Sequence, residues 1–363
     1  MNFNKVLAIC LSPDRGGLEL YFMKLVQYYK NHGHNIHVAC SKYSYISKSI
    51  KDNKVECVQS GLLKTLSNFF ILRSFIVTNK LTILHVSWSK DIFIALMLKL
   101  LTPGNIKIIF YRQMKIPNLK NSSYHKFAYQ NIDQLLVITN NLRDEAYKNL
   151  PINRNKIKKL TYGIKKPDED YSINKNDFIK KNNINPDIFS IGVFSRVEEQ
   201  KGQHLVLEAM NRSSNEMQLC IIGHSMSKSY KDRLIADAYE FGLSNNLKFV
   251  DFVNSPMTYM SFFDLVILPT YEETFGLVVA EAMFMNVPVI GSNAGGVPEI
   301  ISDGDNGLLF QSKNAIDLTK KIDMIFENSS LRDKLVGNAY EYAHKEYNYD
   351  NHFNQLEKIF DSL

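Results

Sequence analysis

The chain has 363 residues, of which 45% are hydrophobic and 22% charged. That is too long for one ordinary α/β domain and too apolar for a disordered chain, so two domains of roughly 150–200 residues are expected. The net charge of +6 hides an asymmetry, because residues 1–185 sum to +17 and the remainder to −11.

A half so basic points to a polyanionic partner: nucleic acid, an anionic membrane surface or a phosphorylated acceptor. A lysine- and asparagine-rich genome composition accounts for many lysines but not for the asymmetry. The longest apolar run, Ile92 to Leu98, is far short of the roughly 18 residues of a spanning helix. The apolar stretch Val6–Leu11 is followed at once by Asp14, Arg15 and two glycines, which reads as a buried strand rather than a signal peptide. Cys10, Cys40, Cys57 and Cys220 are scattered without metal-ligand spacing. They read as reduced structural thiols of a cytoplasmic protein.

In chain order, strands are predicted at Val6–Leu11, Asn35–Cys40, Lys54–Val58, Ile83–Val86, Lys107–Phe110 and Gln134–Ile138, with helical patterns between several of them. The same rhythm restarts at Ile188–Phe194, Gln218–Ile222, Lys248–Val250, Leu265–Leu268 and Val287–Gly291. This alternation means βαβ units and parallel sheets. Tyr162–Asn185 is rich in Lys, Asn, Asp and Pro and has the composition of a linker with a polar surface helix. The reading is therefore an α/β protein of two doubly wound, Rossmann-like domains: 1–165, a linker at 166–186, and 187–345. A last helix within 346–363 packs back on the first domain. Ligands of such sheets bind at the C-terminal strand ends, so a cleft between the domains is the expected place for chemistry.

The densest cluster of candidates is Pro269-Thr-Tyr-Glu-Glu-Thr-Phe-Gly276, leading into a helix that starts near Phe275. A strand–loop–helix entry offers unpaired amides and the positive helix end to an anion. Thr274, Phe275, Gly276 and Leu277 could present their N–H groups to a diphosphate. Glu281 lies eight residues after Glu273, inside an otherwise apolar helix. A carboxylate there is costly to bury unless it binds something, and ribose hydroxyls are suitable donors.

This segment resembles the Glu-x7-Glu signature of the family-4 retaining glycosyltransferases, which adopt the GT-B fold with two domains facing a central cleft. Three further stretches resemble the same family: Gly192–Gly202 with its Arg…Lys-Gly pattern, Asn286–Ile300 with its glycine-rich loop, and Asp303–Phe310 with its turn and strand. The resemblance implies that Arg196 and Lys201 clamp the donor diphosphate as charge gathers on it, which physics favours. It also implies that Glu273 supports the transferred sugar, that Glu281 binds ribose, and that the base lies against backbone near Val250–Val253. Neither Asp168-Glu-Asp170 nor Asp303-Gly-Asp305 follows a buried strand, as a metal-binding Asp-x-Asp would, so no metal and no cofactor are expected.

In the first half, Arg15-Gly16-Gly17-Leu18-Glu19 resembles the family's Gly-Gly-x-Glu loop, which meets donor phosphates and acceptor. It lacks the full dinucleotide fingerprint. His85-Val-Ser87 stands where the family commonly has His-x-His, so Ser87 replaces the histidine nearest the sugar. His85 alone reads as a satisfied structural histidine. Ser89–Asp91 and Tyr111–Met114 look like a subset of the family, and Arg112 could face an acidic acceptor or simply solvent.

The implied activity is retaining, metal-independent transfer of a hexose or N-acetylhexosamine. A UDP-sugar is favoured over GDP-mannose as donor, and the acceptor is a saccharide or lipid-linked molecule of bacterial surface polysaccharide or lipopolysaccharide. The protein would be cytoplasmic and peripheral at the membrane's inner face. The alternatives are a GT-B protein of other activity, such as a nucleotide-sugar 2-epimerase or a non-catalytic subunit, and a nucleic-acid-binding module. For the last, tyrosines among lysines at Tyr28–Lys30 and Lys42–Tyr45 would stack on bases, but the lysines are dispersed and no binding motif is present.

Overall fold

The computed structural model describes residues 5–34, 36–57, 62–167, 174–253 and 255–363, the side chains of Leu62, Leu63 and Lys64 excepted. By its contacts the chain divides into two compact units, Met1–Tyr162 with Asp350–Leu363, and Gly163–Tyr349.

Among the described residues, the first unit holds one parallel sheet of β1 (Val6–Cys10), β2 (His37–Ser41), β3 (Lys54–Cys57), β4 (Ile83–Val86), β5 (Lys107–Arg112), β6 (Gln134–Val137) and β7 (Ile157–Lys159). Their order is β3-β2-β1-β4-β5-β6-β7. Every residue of β1 is buried, as expected of a central parallel strand covered on both faces. The order reverses between β1 and β4, so the loops after these two strands diverge at a topological switch point.

Two expected strands reach residues outside those described, Asn35 and Val58; the described parts begin at His37 and end at Cys57. Strand β7 was not foreseen. It is three residues at the sheet edge, of which only Ile157 is buried, so Ile-Lys-Lys carries no apolar pattern.

The helix Tyr349–Asp361 belongs to the first unit through its Asp350–Leu363 stretch. Phe353 stacks on Tyr28 at 4.0 Å, and Tyr29 is fully buried. The Tyr28 and Tyr29 rings therefore fill the core rather than waiting for nucleic-acid bases. His352 Nδ1 donates to the Thr161 carbonyl at 2.5 Å, which leaves Nε2 to accept from the Tyr21 hydroxyl at 2.8 Å.

Burial holds His85 at about 3 and His352 at about 4, so both stay neutral in the fold. On acidification the unfolded chain protonates both below about 6.5 while the native one does not, so each lowers stability as pH falls. Asp91 runs the other way. Burial raises it to about 7, so the native state keeps a proton that the unfolded state sheds above about 4. Together these three groups contribute a net loss of about 1.4 kcal/mol per pH unit between pH 6.5 and 4, and His37 and His204, both lowered by burial, act in the same direction. Asp91→Asn should about double that slope. Urea melts across this window would show it, and a flat profile would contradict the burial of these histidines.

Among the described residues, the second unit holds β8 (Phe189–Phe194), β9 (Met217–Ile222), β10 (Leu247–Val250), β11 (Leu265–Leu268), β12 (Val289–Ser292) and β13 (Leu308–Phe310). They are parallel, in the order β10-β9-β8-β11-β12-β13. The expected linker is only partly a polar surface segment. Its helix Lys175–Lys181 buries Phe178 against Tyr259, Phe262 and Phe263, so this stretch packs into the second unit. Asp168-Glu-Asp170 lies outside the described residues.

All four cysteines are buried and unpaired. Burial pushes the Cys40 thiol up to about 11 and those of Cys57 and Cys220 to about 12, so they are packing groups, not nucleophiles. Among the described residues, no helix is long and apolar enough to cross a membrane.

Candidate functional site

The candidates of the second unit gather at the C-terminal ends of its strands. The chain leaves β8 through Ser195 and Arg196 and makes one 3-10 turn, Glu199–Lys201, before the helix Gln203–Arg212. Gly202 joins turn to helix at φ +70°, and a Cβ on it would lie 2.2 Å from the Pro269 carbonyl oxygen. Only glycine allows that approach, which seats the Lys201 turn against the loop after β11. Gly295, at φ +62°, does the same from the loop after β12, where a Cβ would meet the Glu273 carbonyl oxygen at 2.1 Å. Gly296 N then donates to that carbonyl at 2.8 Å. Three strand-end loops are thus pinned backbone to backbone around Glu273.

Lys201 Nζ lies 2.9 Å from Glu273 Oε2, with both side chains mostly buried. These two candidates, 72 residues apart in sequence, form one ion pair. Arg196 is different. Its guanidinium pairs with Glu198 at 3.0 Å and is 59% exposed, so in this conformation it is a solvated strand-end cation rather than half of a clamp with Lys201.

Thr274 and Leu277 are half-buried and Phe275 is buried. The helix begins at Leu277, two residues later than expected, with Gly276 as its N-cap at φ +100°. Its first-turn amides open toward the Glu273 loop. Glu281 is only 7% exposed, among buried Val279, Ala280, Ala282 and Met283.

Val250 closes β10, and Val250, Asp251, Phe252 and Val253 form one wall of a cavity of about 470 Å³, faced by Phe178, Lys181 and Tyr259. That volume is in the range of small-molecule sites. The ring of Phe252 stacks on His224 at 4.9 Å and 11°.

In the first unit, Gly16 caps the helix Gly17–Asn31 and donates its N–H to Glu19 Oε2 at 2.8 Å. Glu19 was expected to face an acceptor, but its buried carboxylate instead closes the helix end, as a residue three places after an N-cap often does. Gly17 has nothing within 4 Å of its Cβ position, so the loop before the helix is open there.

His85 has no exposed surface, and neither ring nitrogen has a hydrogen-bond partner among the described residues. The hydrogen bonds expected of a satisfied histidine are thus absent among the described residues. Tyr111 and Phe360 surround it instead of polar groups. Ser87 Oγ is likewise buried and unpartnered among the described residues. Arg112, held open between acceptor and solvent, donates through Nε to the Met114 carbonyl at 2.6 Å and through Nη2 to the Lys115 carbonyl.

Residues 174–342 match the family model described as glycosyl transferases group 1, and residues 8–140 match that described as glycosyl transferase 4-like. The solved structure of HepE of Anabaena in complex with UDP superposes with a TM-score of 0.85 at 18% identity, covering 99% of this chain and 100% of that one. The chain belongs to the family-4-like glycosyltransferases of GT-B fold. An uncharacterized glycosyltransferase of Methanocaldococcus jannaschii is 27% identical over 226 residues, 60% of this chain and 57% of that one. The capsular polysaccharide biosynthesis glycosyltransferase CapM of Staphylococcus aureus is 22% identical over 276 residues, 72% of each chain. The chain thus spans less than two thirds of the first relative's length.

Within this glycosyltransferase, three residues of the site were not foreseen. Gln203 is fully buried and donates to Ser195 Oγ at 2.9 Å and to the Arg196 carbonyl at 2.8 Å, fixing the strand end that carries Arg196. A glutamine opening a helix directly after Lys-Gly was the available signal. His224 follows Gly223 at the end of β9, a strand-end position that could have been read for it. Phe252 had no signal beyond lying within the stretch assigned to the base.

Proposed function

We propose that the protein is a retaining, metal-independent glycosyltransferase. It moves a hexose or N-acetylhexosamine from a nucleotide-sugar, UDP-linked in preference to GDP-linked, to a saccharide or lipid-linked acceptor of a bacterial surface polysaccharide or lipopolysaccharide. The observation that carries this reading is the Lys201–Glu273 pair at 2.9 Å, set in the turns that precede the helices Gln203–Arg212 and Leu277–Phe284. A cation there neutralises the departing diphosphate, helix amides add partial positive charge, and the carboxylate beside it supports the positive sugar carbon. The cavity at Val250–Val253 would take the base and Glu281 the ribose. HepE was solved with UDP, and CapM acts in capsular polysaccharide biosynthesis, which supports the donor and the acceptor class.

Among the described residues, His85 is a poor candidate for a base that deprotonates an acceptor from behind the sugar, since it is buried and burial lowers its pKa to about 3. The leaving diphosphate would take that proton itself, so an α-linked donor should yield an α-linked product. The test is a thermal-shift panel of UDP, GDP and ADP with their sugars, in EDTA, followed by NMR of the product. UDP-compounds should stabilise most, and the product's anomeric coupling should be that of an α linkage. Loss of activity in EDTA restored by Mn²⁺ or Mg²⁺ would overturn metal independence. A β anomeric coupling would overturn retention, and conversion of the donor without UDP release would point to an epimerase.

The basic half should bring the enzyme to anionic membranes. Phe70, Val77, Phe93, Leu101, Leu119 and Phe127 are exposed on or beside the helices Leu62–Thr78, Ile92–Leu101 and Ser123–Gln130, in the half that carries +17. Apolar side chains among lysines suit an anionic lipid surface. Binding to phosphatidylglycerol vesicles should weaken steadily as salt rises, since charges are screened beyond about 8 Å at physiological ionic strength. Binding indifferent to lipid charge would contradict this, and tighter binding to duplex DNA would favour the nucleic-acid alternative.

A further inference from the structure

The ends of β4 and β5 border a second cavity, of about 180 Å³. This is below the roughly 300–1,000 Å³ of sites that enclose a whole drug-sized ligand, and it suits one small group. Besides Ser89, its polar lining is Lys90, Arg112, Lys120, His125 and the hydroxyls of Tyr124 and Tyr129, with no carboxylate. Lys90 and Lys120 have no ion pair among the described residues, and the two tyrosine hydroxyls have no hydrogen bond among them.

The Arg112 guanidinium gives two donors to loop carbonyls. The nearest acid acting on it, Glu145, already accepts from the Ile116 amide at 2.7 Å. Burial lowers the Arg112 pKa, so its charge is held at a cost that an entering anion would offset. His125 Nδ1 is 2.7 Å from Ser122 Oγ, which leaves Nε2 for a ligand.

We propose that this cavity is an anion site that seats a phosphate ester carried by the sugar acceptor. Three cations, of which Arg112 is held in place by loop carbonyls, two free phenols and an imidazole nitrogen, without an acid among them, match a tetrahedral group with several acceptor oxygens. A carboxylate offers fewer acceptors than this donor set can fill. The inference rests on the sugar-transfer reading only in naming the ligand as the acceptor; the anion site itself does not. The surroundings favour a lipid-linked phosphate, because Tyr124 lines the cavity and is itself 44% exposed, in ring contact with exposed Phe93 at 6.2 Å.

Trp88, the chain's single tryptophan, reports on the site, since Lys90 Nζ lies 4.8 Å from its ring centre. Its emission would be followed in titrations of the full chain with glycerol 3-phosphate, and with phosphatidylcholine vesicles with and without phosphatidic acid. The expected result is a saturable change that is about tenfold or more weaker in Lys120→Gln and recovered in Lys120→Arg, with unaltered melting temperatures. Saturation by phosphatidic acid vesicles at much lower phosphate than by glycerol 3-phosphate would assign the phosphate to a lipid. Equal potency would assign it to a soluble sugar phosphate. No saturable response to any probe, or a Lys120→Gln titration like the wild type, would overturn the site. UDP thermal shifts measured alongside separate the two readings, because failure there removes the donor assignment and leaves the anion site standing.

Discussion

Lys201→Ala is expected to lower kcat/KM about 10²–10³-fold while leaving the melting temperature nearly unchanged. The ammonium is mostly buried and 2.9 Å from Glu273, so on the proposed reading its removal takes away a fixed charge from the diphosphate site and leaves a carboxylate in its place. Both changes oppose the negative charge that builds on the leaving group, and water can replace neither the charge nor its position. Arg196→Ala should cost less, about tenfold, because that guanidinium is 59% exposed and must first leave Glu198. Glu273→Gln should reduce kcat more than it weakens donor binding, since it keeps a hydrogen bond to Lys201 and loses only the charge felt by the sugar. Steady-state kinetics with the donor found by thermal shift would decide. If Lys201→Ala stayed within twofold of wild type, the donor site would be misplaced.

Gly202→Ala should be among the most damaging single methyl groups in the second unit. Its Cβ would overlap the Pro269 carbonyl oxygen at 2.2 Å, and that oxygen belongs to backbone that cannot swing aside. A matched control exists in Gly242, whose φ of +71° equals that of Gly202 but whose Cβ position has nothing within 4 Å. Gly242→Ala should cost only the left-handed strain, about 1–2 kcal/mol. Gly202→Ala should cost that plus the displacement of two loops, together above about 4 kcal/mol, and should abolish the UDP thermal shift. Equal destabilisation by the two substitutions would mean that the Lys201 turn does not sit on Pro269.

Central strands such as Val6–Cys10 and Leu265–Leu268 are continuous apolar runs, and such runs arise because parallel strands bury both faces. Lys54–Cys57 and Ile157–Lys159 show the limit. Edge strands need only one apolar face, so the first was read through a mixed pattern and the second was missed. Phe178 shows another, since one aromatic in a lysine- and asparagine-rich helix reads as surface until Tyr259 and Phe262 are seen against it.

The Glu-x7-Glu spacing and the Lys-Gly pair could be picked out as candidates because each is a local pattern on a strand-to-helix turn. That Lys201 meets Glu273, and that Gly202 and Gly295 clamp the loops between them, depends on which strands are neighbours, and spacing along the chain does not carry it. The helix-capping contact of Glu19 was not legible for a related reason. A Gly-Gly-x-Glu loop has the same letters whether its carboxylate faces a ligand or turns back on Gly16 N, and only the geometry shows the second.

The first unit is assembled from both ends of the chain, Met1–Tyr162 and Asp350–Leu363, with the whole second unit between them. Tyr21, Tyr28 and Tyr29 therefore have no His352, Phe353 or Phe360 to close over them until the residues beyond the second unit have been made. The half encoded second can complete its sheet first, and the half encoded first must wait. A stop codon that removes only the final helix would strip the aromatic core from the opposite end of the gene product.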